Sequence, residues 1–436
     1  MKKVQRRAGS ALLIALLLMA GLALYLVRLA DDGGAWATYF TGGSPAGQIV
    51  DRNGALLYSS DGQSASFAAD EAVRRACYHV TGDTRGNVAT GALRQFRDSL
   101  MGYSFVSGTS SGKTLRLTVD SSLNAVAYEA LAGRDGAAIL LDYTTGEILC
   151  MVSTPADDPQ NPSAEPADGT YINKAIGASF VPGSVYKLVT LAAAIDNIPD
   201  LFERSFWCGG SAQLQGITLQ CTGSHGSQTI EQALANSCNC AFGEIALELG
   251  YDVLLEYAEK LGITAQLELD GMEVRRGSLD WESEDMDIGL AWTGIGQHND
   301  LVCPYALVRY VAAVANGGSV YEPTLLGHGE LDRQTELLSA GTASKIASMM
   351  DYNVEAAYGE GTFPGLDAAA KTGTAEVGDG TSHAWMTGFL NDPEHPYAFV
   401  VLVEHAGGGR VNAGPVANAL LQAAVAASPA QADAAQ

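Results

Sequence analysis

Basic residues are scarce in this 436-residue sequence. It has 25 lysines and arginines against 49 aspartates and glutamates, which gives a formal net charge of -24 and a pI of about 4.5. Because a nucleic-acid-binding surface must neutralise phosphates with positive charge, this balance argues against DNA or RNA as a partner. No internal repeat is visible, so the sequence does not have the pattern of a repeat array.

Long uncharged apolar runs are also scarce, and the clearest one lies near the N-terminus, from Gly9 to Val27. As an α-helix it would span roughly 28 Å, close to the thickness of the hydrocarbon core of a bilayer. Basic residues precede the run and aspartates follow it, so we expect a cytoplasmic tail at 1–8, a transmembrane anchor at 9–30 and an exported remainder. The alternative is a signal peptide cleaved at the Ala-Trp-Ala of 35–37.

The sequence also lacks the closely spaced cysteine and histidine pairs that are typical of zinc sites. Near Cys238 and Cys240 no histidine or second cysteine pair stands at ligand spacing, so we predict no metal site and no cofactor. Cys208 and Cys221 bracket a glycine-rich polar loop, which is compatible with a disulfide and equally with two free thiols. Cys150 lies in an apolar run and is predicted to be a core residue.

A buried helix is predicted to begin beside Ser184. Pro182 and Gly183 interrupt the chain, and apolar residues then recur at helical spacing as far as Ile195. Lys187 follows Ser184 by three residues and shares its helical face, so its amine can reach the hydroxyl. A serine in a first turn is commonly only an N-cap. A desolvated lysine, however, can lose its proton and then accept one from serine, which makes this pair a candidate base and nucleophile.

A second motif, Ser237-Cys238-Asn239, lies in a loop between two predicted helices at 229–235 and 241–250. Side chains alternate along an extended loop. We therefore predict that Ser237 and Asn239 point one way and Cys238 the other.

The third motif is Lys371-Thr372-Gly373-Thr374, in a run of small residues with strand character. Gly373 permits a ligand to approach the backbone closely. The lysine and the two threonine hydroxyls suit the binding of a carboxylate.

The order of the predicted elements indicates an α+β fold. Two apolar strands about a Thr-Gly turn lie at 137–152, two more lie at 383–390 and 397–405, and a helix follows at 414–427. The stretch between the two pairs of strands is mainly helical. We therefore predict a central antiparallel sheet whose N-terminal strands pair with its C-terminal ones, beside an all-helical subdomain.

We predict two folded units after the anchor. Residues 31–113 form a small extracytoplasmic domain, which contains a strand, an Asn-Gly turn and a second strand at 48–58. Residues 114–428 form the larger domain, and the low-complexity segment 429–436 is a disordered tail.

The three motifs, in this order, are the signature of penicillin-binding proteins and serine β-lactamases. Residues 118–436 resemble the transpeptidase domain of class B penicillin-binding proteins, the membrane-anchored D,D-transpeptidases that cross-link peptidoglycan. Accessory motifs agree with this resemblance, including Gly-Ile-Gly-Gln at 294–297 and Ala-Trp at 384–385. The segment before this domain is shorter than the usual N-terminal module of that family.

The resemblance implies acyl transfer through a covalent acyl-enzyme. Ser184 would attack the carbonyl of the penultimate D-Ala of a stem peptide, and Lys187 would accept its proton. Ser237 would relay a proton to the leaving amine, and Asn239 would hold the substrate amide. Lys371 would hold Ser237 and the substrate carboxylate.

The resemblance also implies a binding edge and partners. Thr372, Gly373 and Thr374 would bind the substrate, and the backbone N–H groups of Ser184 and Thr374 would form an oxyanion hole. The implied partners are stem peptides, covalently bound β-lactams and a membrane glycan polymerase of the SEDS type.

Three other functions remain compatible with the sequence. A D,D-carboxypeptidase uses the same acyl-enzyme with water as the acceptor. A serine β-lactamase needs a positioned second base, and none is recognisable here. The third is a non-enzymatic β-lactam sensor or scaffold. The sensor is disfavoured, because the cytoplasmic segment is too short for a signalling domain.

Overall fold

The computed structural model describes most of the chain. The residues that it describes are 2–31, 44–104, 109–110, 112–214, 217–279, 286–298, 300–327 and 334–427. The predicted cleavage position at 35–37 and the predicted tail at 429–436 lie outside these residues.

The N-terminal apolar run forms one helix, Lys2–Asp31. Its segment Gln5–Val27 has a mean hydropathy of 2.5 and is long and apolar enough to cross a membrane. The helix therefore fits the predicted anchor, although an N-terminal signal sequence has the same length and composition.

A four-stranded sheet organises the N-terminal region. Its strands run in the order Ala65–Phe67, Leu56–Ser60, Gly47–Val50 and Lys113–Arg116. The first three are antiparallel, which confirms the predicted strand-turn-strand, whereas Lys113–Arg116 lies parallel to Gly47–Val50. This last strand begins at the predicted boundary between the two domains, so the sheet includes residues that the sequence analysis assigned to the larger one.

The main sheet has five antiparallel strands. In spatial order they are Ala368–Glu376, Ser382–Leu390, Tyr397–Val403, Gly136–Asp142 and Ile148–Thr154. The third and fourth strands pair along their whole length. The predicted pairing of N-terminal with C-terminal strands is therefore confirmed.

Helices cover both faces of the main sheet. Alternate residues of the apolar strand Tyr397–Val403 are buried in two different cores, as expected for a strand covered on both faces. One core lies under the helices Ser121–Leu131 and Gly409–Ala427, and the other lies under Pro304–Ala315. Two covered faces explain why the sequence of this strand shows no polar alternation.

The middle of the chain is mainly helical. Its longer helices are Lys187–Asn197, Ile230–Ala235, Asn239–Lys260, Met286–Thr293, Pro304–Ala315 and Ala340–Asn353. Shorter helices elsewhere are Glu71–Ala76, Tyr78–Thr81, Ala92–Gln95, Arg97–Met101 and Lys174–Gly177.

The predicted all-helical subdomain also contains small antiparallel sheets, which corrects that prediction. Strand pairs there are Phe206–Cys208 with Gly226–Gln228, Ser211–Leu214 with Ile217–Gln220, Glu268–Leu269 with Met272–Glu273, and Ser319–Tyr321 with Gln334–Glu336. These strands have two to four residues each and are too short to give a readable alternation. A further short pair, Tyr103–Ser104 with Thr109–Ser110, lies in the N-terminal region.

Candidate active site

Ser184 lies on a tight turn at the start of a buried helix. Gly183–Val185 form a 3₁₀ turn, and Lys187–Asn197 continue as an α-helix, as predicted. The two N-cap positions are occupied by Pro182 and Tyr186, and neither makes a side-chain cap. The interpretation of Ser184 as an N-cap is therefore wrong.

Lys187 joins Ser184 to the second motif. Its Nζ lies 3.0 Å from Ser184 Oγ, 2.6 Å from the carbonyl oxygen of Ser237 and 2.7 Å from Asn239 Oδ1. The Oγ of Ser237 is farther away, at 3.3 Å. All of these partners are uncharged, and the lysine side chain is fully buried. Burial lowers the pKa of Lys187 to about 7, and the neighbouring cysteine thiols offset only part of that shift.

The geometry around Lys187 suits a neutral amine. Such an amine has two N–H donors and one lone pair. The two shortest contacts are to the Ser237 carbonyl and the Asn239 amide oxygen, which can only accept hydrogen bonds. The lone pair is then left for the hydroxyl hydrogen of Ser184, so Lys187 can receive a proton from this serine.

The second motif lies between two helices, as predicted. Ile230–Ala235 ends just before it, and the next helix begins at Asn239. Ser237 has a φ of +51°, an uncommon left-handed conformation for a residue other than glycine. Ser237 and Asn239 face Lys187, whereas Cys238 is buried on the opposite side of the loop, so the predicted alternation is confirmed.

Lys371 approaches Ser237 from the strand Ala368–Glu376, which we call the strand wall of the site, whereas the helix Lys187–Asn197 and the second motif form its helical wall. The Nζ of Lys371 is 3.0 Å from Ser237 Oγ and 3.0 Å from the carbonyl oxygen of Thr372. The side chain is fully buried. Burial first, and the positive charge of Lys187 second, hold the pKa of Lys371 well below its ordinary value. The hydroxyl of Ser237 thus lies between two buried amines.

Two glycines allow the serine turn and the third motif to touch. A Cβ at Gly373 would lie 2.7 Å from the carbonyl oxygen of Pro182, and a Cβ at Gly183 would lie 2.6 Å from that of Thr374. Gly183 also has a φ of +56°, which favours glycine. The sequence therefore needs glycine at both positions to bring Ser184 against this strand.

The strand Ala368–Glu376 lies at the edge of the main sheet, with outward-facing backbone groups. The N–H of Thr372 donates to the hydroxyl of Tyr358 at 3.0 Å, and the carbonyl of Thr374 accepts from Gln297 Nε2 at 3.2 Å. Backbone groups of alternate strand residues face the same side. The N–H of Thr374 therefore also faces away from the neighbouring strand.

Sequence reasoning did not single out Tyr358. This half-buried tyrosine ends the π-helical turn Val354–Tyr358 and contacts Thr372 through both its N–H and its Oγ1, the latter at 3.2 Å. No motif marks it, because a π-helical turn has no recognisable sequence pattern. Gln297 ends the accessory motif at 294–297, and the structure brings its side chain to Thr374.

A cluster of thiols lies behind the second motif. All seven cysteines are free thiols, and Cys208 Sγ is 3.6 Å from Cys240 Sγ, while Cys221 Sγ is 3.8 Å from Cys238 Sγ. His225 Nδ1 lies 3.7 Å from Cys221 Sγ. We predicted no metal site because neither a histidine nor a second cysteine pair stands at ligand spacing near Cys238 and Cys240. Folding nevertheless brings Cys208, Cys221 and His225 beside Cys238.

Comparison with known proteins bears on the larger domain. The family model described as the penicillin binding protein transpeptidase domain matches residues 136–422, well over half of the chain.

Among curated proteins, the chain is similar to the peptidoglycan D,D-transpeptidase PbpA of Mycobacterium tuberculosis. The two are 28% identical over 336 residues, which cover 67% of this chain and 68% of that protein.

Solved structures share the fold. Penicillin-binding protein A from M. tuberculosis, in a ceftriaxone acyl-enzyme complex, matches with a TM-score of 0.76 and 24% identity, over 88% of this chain and 99% of that one. The D,D-transpeptidase domain of a peptidoglycan glycosyltransferase from Eggerthella lenta matches with a TM-score of 0.75 and 24% identity, over 88% and 98%.

Proposed function

We infer the function from the family, since this chain belongs to the penicillin-binding protein transpeptidase family. We propose that it is a peptidoglycan D,D-transpeptidase that cross-links stem peptides and is acylated by β-lactams. The observation that carries the proposal is the contact of 3.0 Å between the buried amine of Lys187 and Ser184 Oγ, at the junction of three motifs.

The first step is acylation of Ser184. Lys187 accepts the hydroxyl proton, and Ser184 Oγ attacks the carbonyl of the penultimate D-Ala. The developing negative charge on that carbonyl oxygen is stabilised by the backbone N–H groups of Ser184 and Thr374. Each such donor is typically worth about 3 kcal/mol.

Ser237 carries the proton to the leaving amine. Its Oγ lies 3.3 Å from Lys187 Nζ and 3.0 Å from Lys371 Nζ, so it can take a proton from one amine and give one to the departing terminal D-Ala. Asn239 holds the amide of the substrate while Lys187 changes its protonation state.

The strand edge binds the substrate carboxylate. Thr372 and Thr374 offer hydroxyls, and Gly373 keeps the edge free of a side chain. A carboxylate beside Lys371 favours the charged form of this lysine. Substrate binding therefore raises the lowered pKa of Lys371 and lets it pair with the incoming negative charge.

The second step transfers the acyl group. The amine of a neighbouring stem peptide attacks the ester, Lys187 and Ser237 take a proton from that amine and deliver a proton to Ser184 Oγ as its bond to the acyl carbon breaks, and the cross-linked product is released. The N-terminal helix would anchor the catalytic domain outside the cytoplasmic membrane, where stem peptides occur, and a glycan polymerase of the SEDS type in the same membrane would supply new strands.

The test uses the detergent-solubilised full chain. It is incubated with a donor peptide ending in D-Ala-D-Ala and an amine acceptor, and the products are separated by mass spectrometry. A parallel sample with benzylpenicillin is followed by intact mass. The variant Ser184→Ala is compared with Ser344→Ala, which changes an exposed serine on the helix Ala340–Asn353.

We expect the wild type and Ser344→Ala to give a cross-linked product and a lasting penicilloyl adduct, and Ser184→Ala to give neither. D-Ala release without transfer would contradict the proposal in favour of a carboxypeptidase. An adduct that clears while penicillin is hydrolysed would indicate a β-lactamase. An adduct with no turnover of peptides would indicate a sensor or scaffold.

A further inference from the structure

Four side chains of metal-binding type converge behind the second motif. They are Cys208, Cys221, His225 and Cys238, and their ligand atoms all lie within 4.8 Å of one another. We propose that these three thiolates and one imidazole form a structural Zn²⁺ site. This inference goes beyond the proposed function, because metal binding here does not require that the chain be a transpeptidase.

Two of the distances within the cluster match those of a tetrahedral zinc ion, and no two of the four ligand atoms are more than 4.8 Å apart. Zinc bonds of about 2.3 Å to sulfur and about 2.0–2.1 Å to nitrogen separate two ligand atoms by about 3.5–3.8 Å. Cys221 Sγ lies 3.8 Å from Cys238 Sγ and 3.7 Å from His225 Nδ1. A disulfide between the two cysteines would require their sulfur atoms to approach to about 2.05 Å.

Short strands bring the four ligands together. Cys208 ends the strand Phe206–Cys208, and the N–H of His225 donates to its carbonyl at 3.0 Å. Cys221 directly follows the strand Ile217–Gln220. These strands have three or four residues each and are anchored in the core by Phe206 and Leu219, so a metal ion that links them would add to the stability that this packing supplies.

The site has the exposure expected for a structural ion. The side chains of Cys208 and Cys238 are buried, and those of Cys221 and His225 are half-buried. Three cysteines and one histidine give a closed set of four protein ligands, which is the composition of structural rather than catalytic zinc sites. Binding converts three thiols to thiolates and releases their protons, which leaves the complex with a net charge of -1.

The cluster supports the second motif directly. Cys238 lies between Ser237 and Asn239 in the chain, and the N–H of Asn239 donates to Cys221 Sγ at 3.2 Å. The side-chain amide of Asn239 also donates to the carbonyl of Gln220 at 2.9 Å. A metal ion on Cys221 and Cys238 would therefore fix Asn239 from two sides and make both cysteines positioning residues for the loop.

A fourth sulfur atom, that of Cys240, defines a competing state. Cys240 Sγ lies 3.6 Å from Cys208 Sγ but is outside the group of four. Oxidation could join Cys208 to Cys240 or Cys221 to Cys238, with loss of two hydrogens to an external oxidant for each bond. The metal content of the chain, and its intact mass, which falls by two hydrogens for each disulfide, distinguish this state from the zinc site.

The first measurement is the metal content of the full chain, purified in detergent with a phosphine reductant and no chelator. We expect one zinc per chain by elemental mass spectrometry. Replacement by Co²⁺ should give the intense visible bands of tetrahedral cobalt bound to thiolates. The variant Cys221→Ala should lose the metal, whereas Cys303→Ser, which changes a buried cysteine outside the cluster, should retain it.

The second measurement separates this inference from the proposed function. Ser184→Ala should keep its zinc while losing acylation, and Cys221→Ala should slow acylation by benzylpenicillin about tenfold while keeping Ser184 as the acylated residue. A metal-free chain would overturn the inference, whether its thiols are free or joined in disulfides. One zinc per chain that persists in Cys221→Ala would overturn the assigned ligands.

Discussion

The helical wall and the strand wall of the site each carry one buried lysine, but the two lysines have different surroundings. Lys187, on the helical wall, is held by acceptors that belong to the second motif and by Ser184. Lys371, on the strand wall, lies beside the hydroxyl of Ser237 and the carbonyl oxygen of Thr372. The helical wall is thus already arranged for proton transfer, whereas the strand wall offers a buried amine and a backbone edge to a ligand.

The difference corresponds to where the site must be rigid before a substrate binds. A base must lie within hydrogen-bond reach of its proton before the substrate arrives, so its contacts are internal. The backbone N–H and C=O groups of a binding edge need hydrogen-bond partners that a ligand can join or displace. Tyr358 and Gln297 are such partners on the strand wall.

The largest expected effect tests the helical wall. Lys187→Arg introduces a permanent positive charge and removes the base, because arginine stays protonated in proteins. We expect acylation by benzylpenicillin to fall by roughly 10²- to 10⁴-fold, measured as the rate of adduct formation by intact mass.

Two further variants control for folding. Lys345→Arg makes the same change at a lysine whose amine lies over the exposed ring of Phe202, and it should leave the acylation rate unchanged. Lys187→Met, which is neutral and of similar length, should lose acylation as Lys187→Arg does. Retained acylation in the methionine variant, with an unchanged melting temperature, would show that Lys187 is not the base.

A smaller effect is expected where the two walls touch. In Gly373→Ala the new methyl group would lie 2.7 Å from the carbonyl oxygen of Pro182, so the strand must move away from the serine turn. Overpacking of this kind typically destabilises by about 1–3 kcal/mol. We expect a lower melting temperature and acylation that is about 10- to 100-fold slower.

The matched control for this variant is Gly361→Ala, because a Cβ at Gly361 has no heavy atom within 4 Å. It should match the wild type in both measurements. Equal acylation rates for the two alanine variants would mean that the close approach of the walls does not matter for the reaction.

Much of this arrangement could be predicted from the sequence. The motif residues Ser184, Lys187 and Lys371 were predicted from spacing and order, and the main sheet was predicted from its apolar runs. Ser237 and Asn239 were predicted to share one side of the loop, and they do, although the backbone there is not extended, since Ser237 is left-handed and Asn239 begins a helix. These features are local or have strong periodicity, so a single sequence contains them.

The remaining features depend on contacts between distant segments. Tyr358 reaches Thr372 only because a π-helical turn faces the sheet edge, and nothing in its local sequence marks that turn. The thiol cluster combines Cys208, Cys221 and Cys238 through strands too short to predict. Spacing along the chain is a poor guide to such a cluster.

The smallest expected effect tests the strand wall. Tyr358→Phe removes the hydroxyl that accepts the N–H of Thr372 at 3.0 Å and contacts its Oγ1 at 3.2 Å. A hydrogen bond of this kind is worth about 0.5–1.5 kcal/mol, so acylation should slow by about two- to tenfold. Tyr352→Phe, on the neighbouring helix Ala340–Asn353, serves as the control. A loss as large as that of Lys187→Arg would instead assign Tyr358 a part in proton transfer.

The most direct test of the account is the pH dependence of acylation by benzylpenicillin between pH 5 and pH 9, with Ser184→Ala as the blank. Burial lowers the pKa of Lys187 to about 7, so the neutral, proton-accepting form becomes more abundant as the pH rises through that value. We predict a rate that rises tenfold per pH unit on the acidic side and levels off above about pH 7. A rate that keeps rising towards the ordinary lysine pKa of 10.5 would contradict the claim that burial makes Lys187 the base for Ser184.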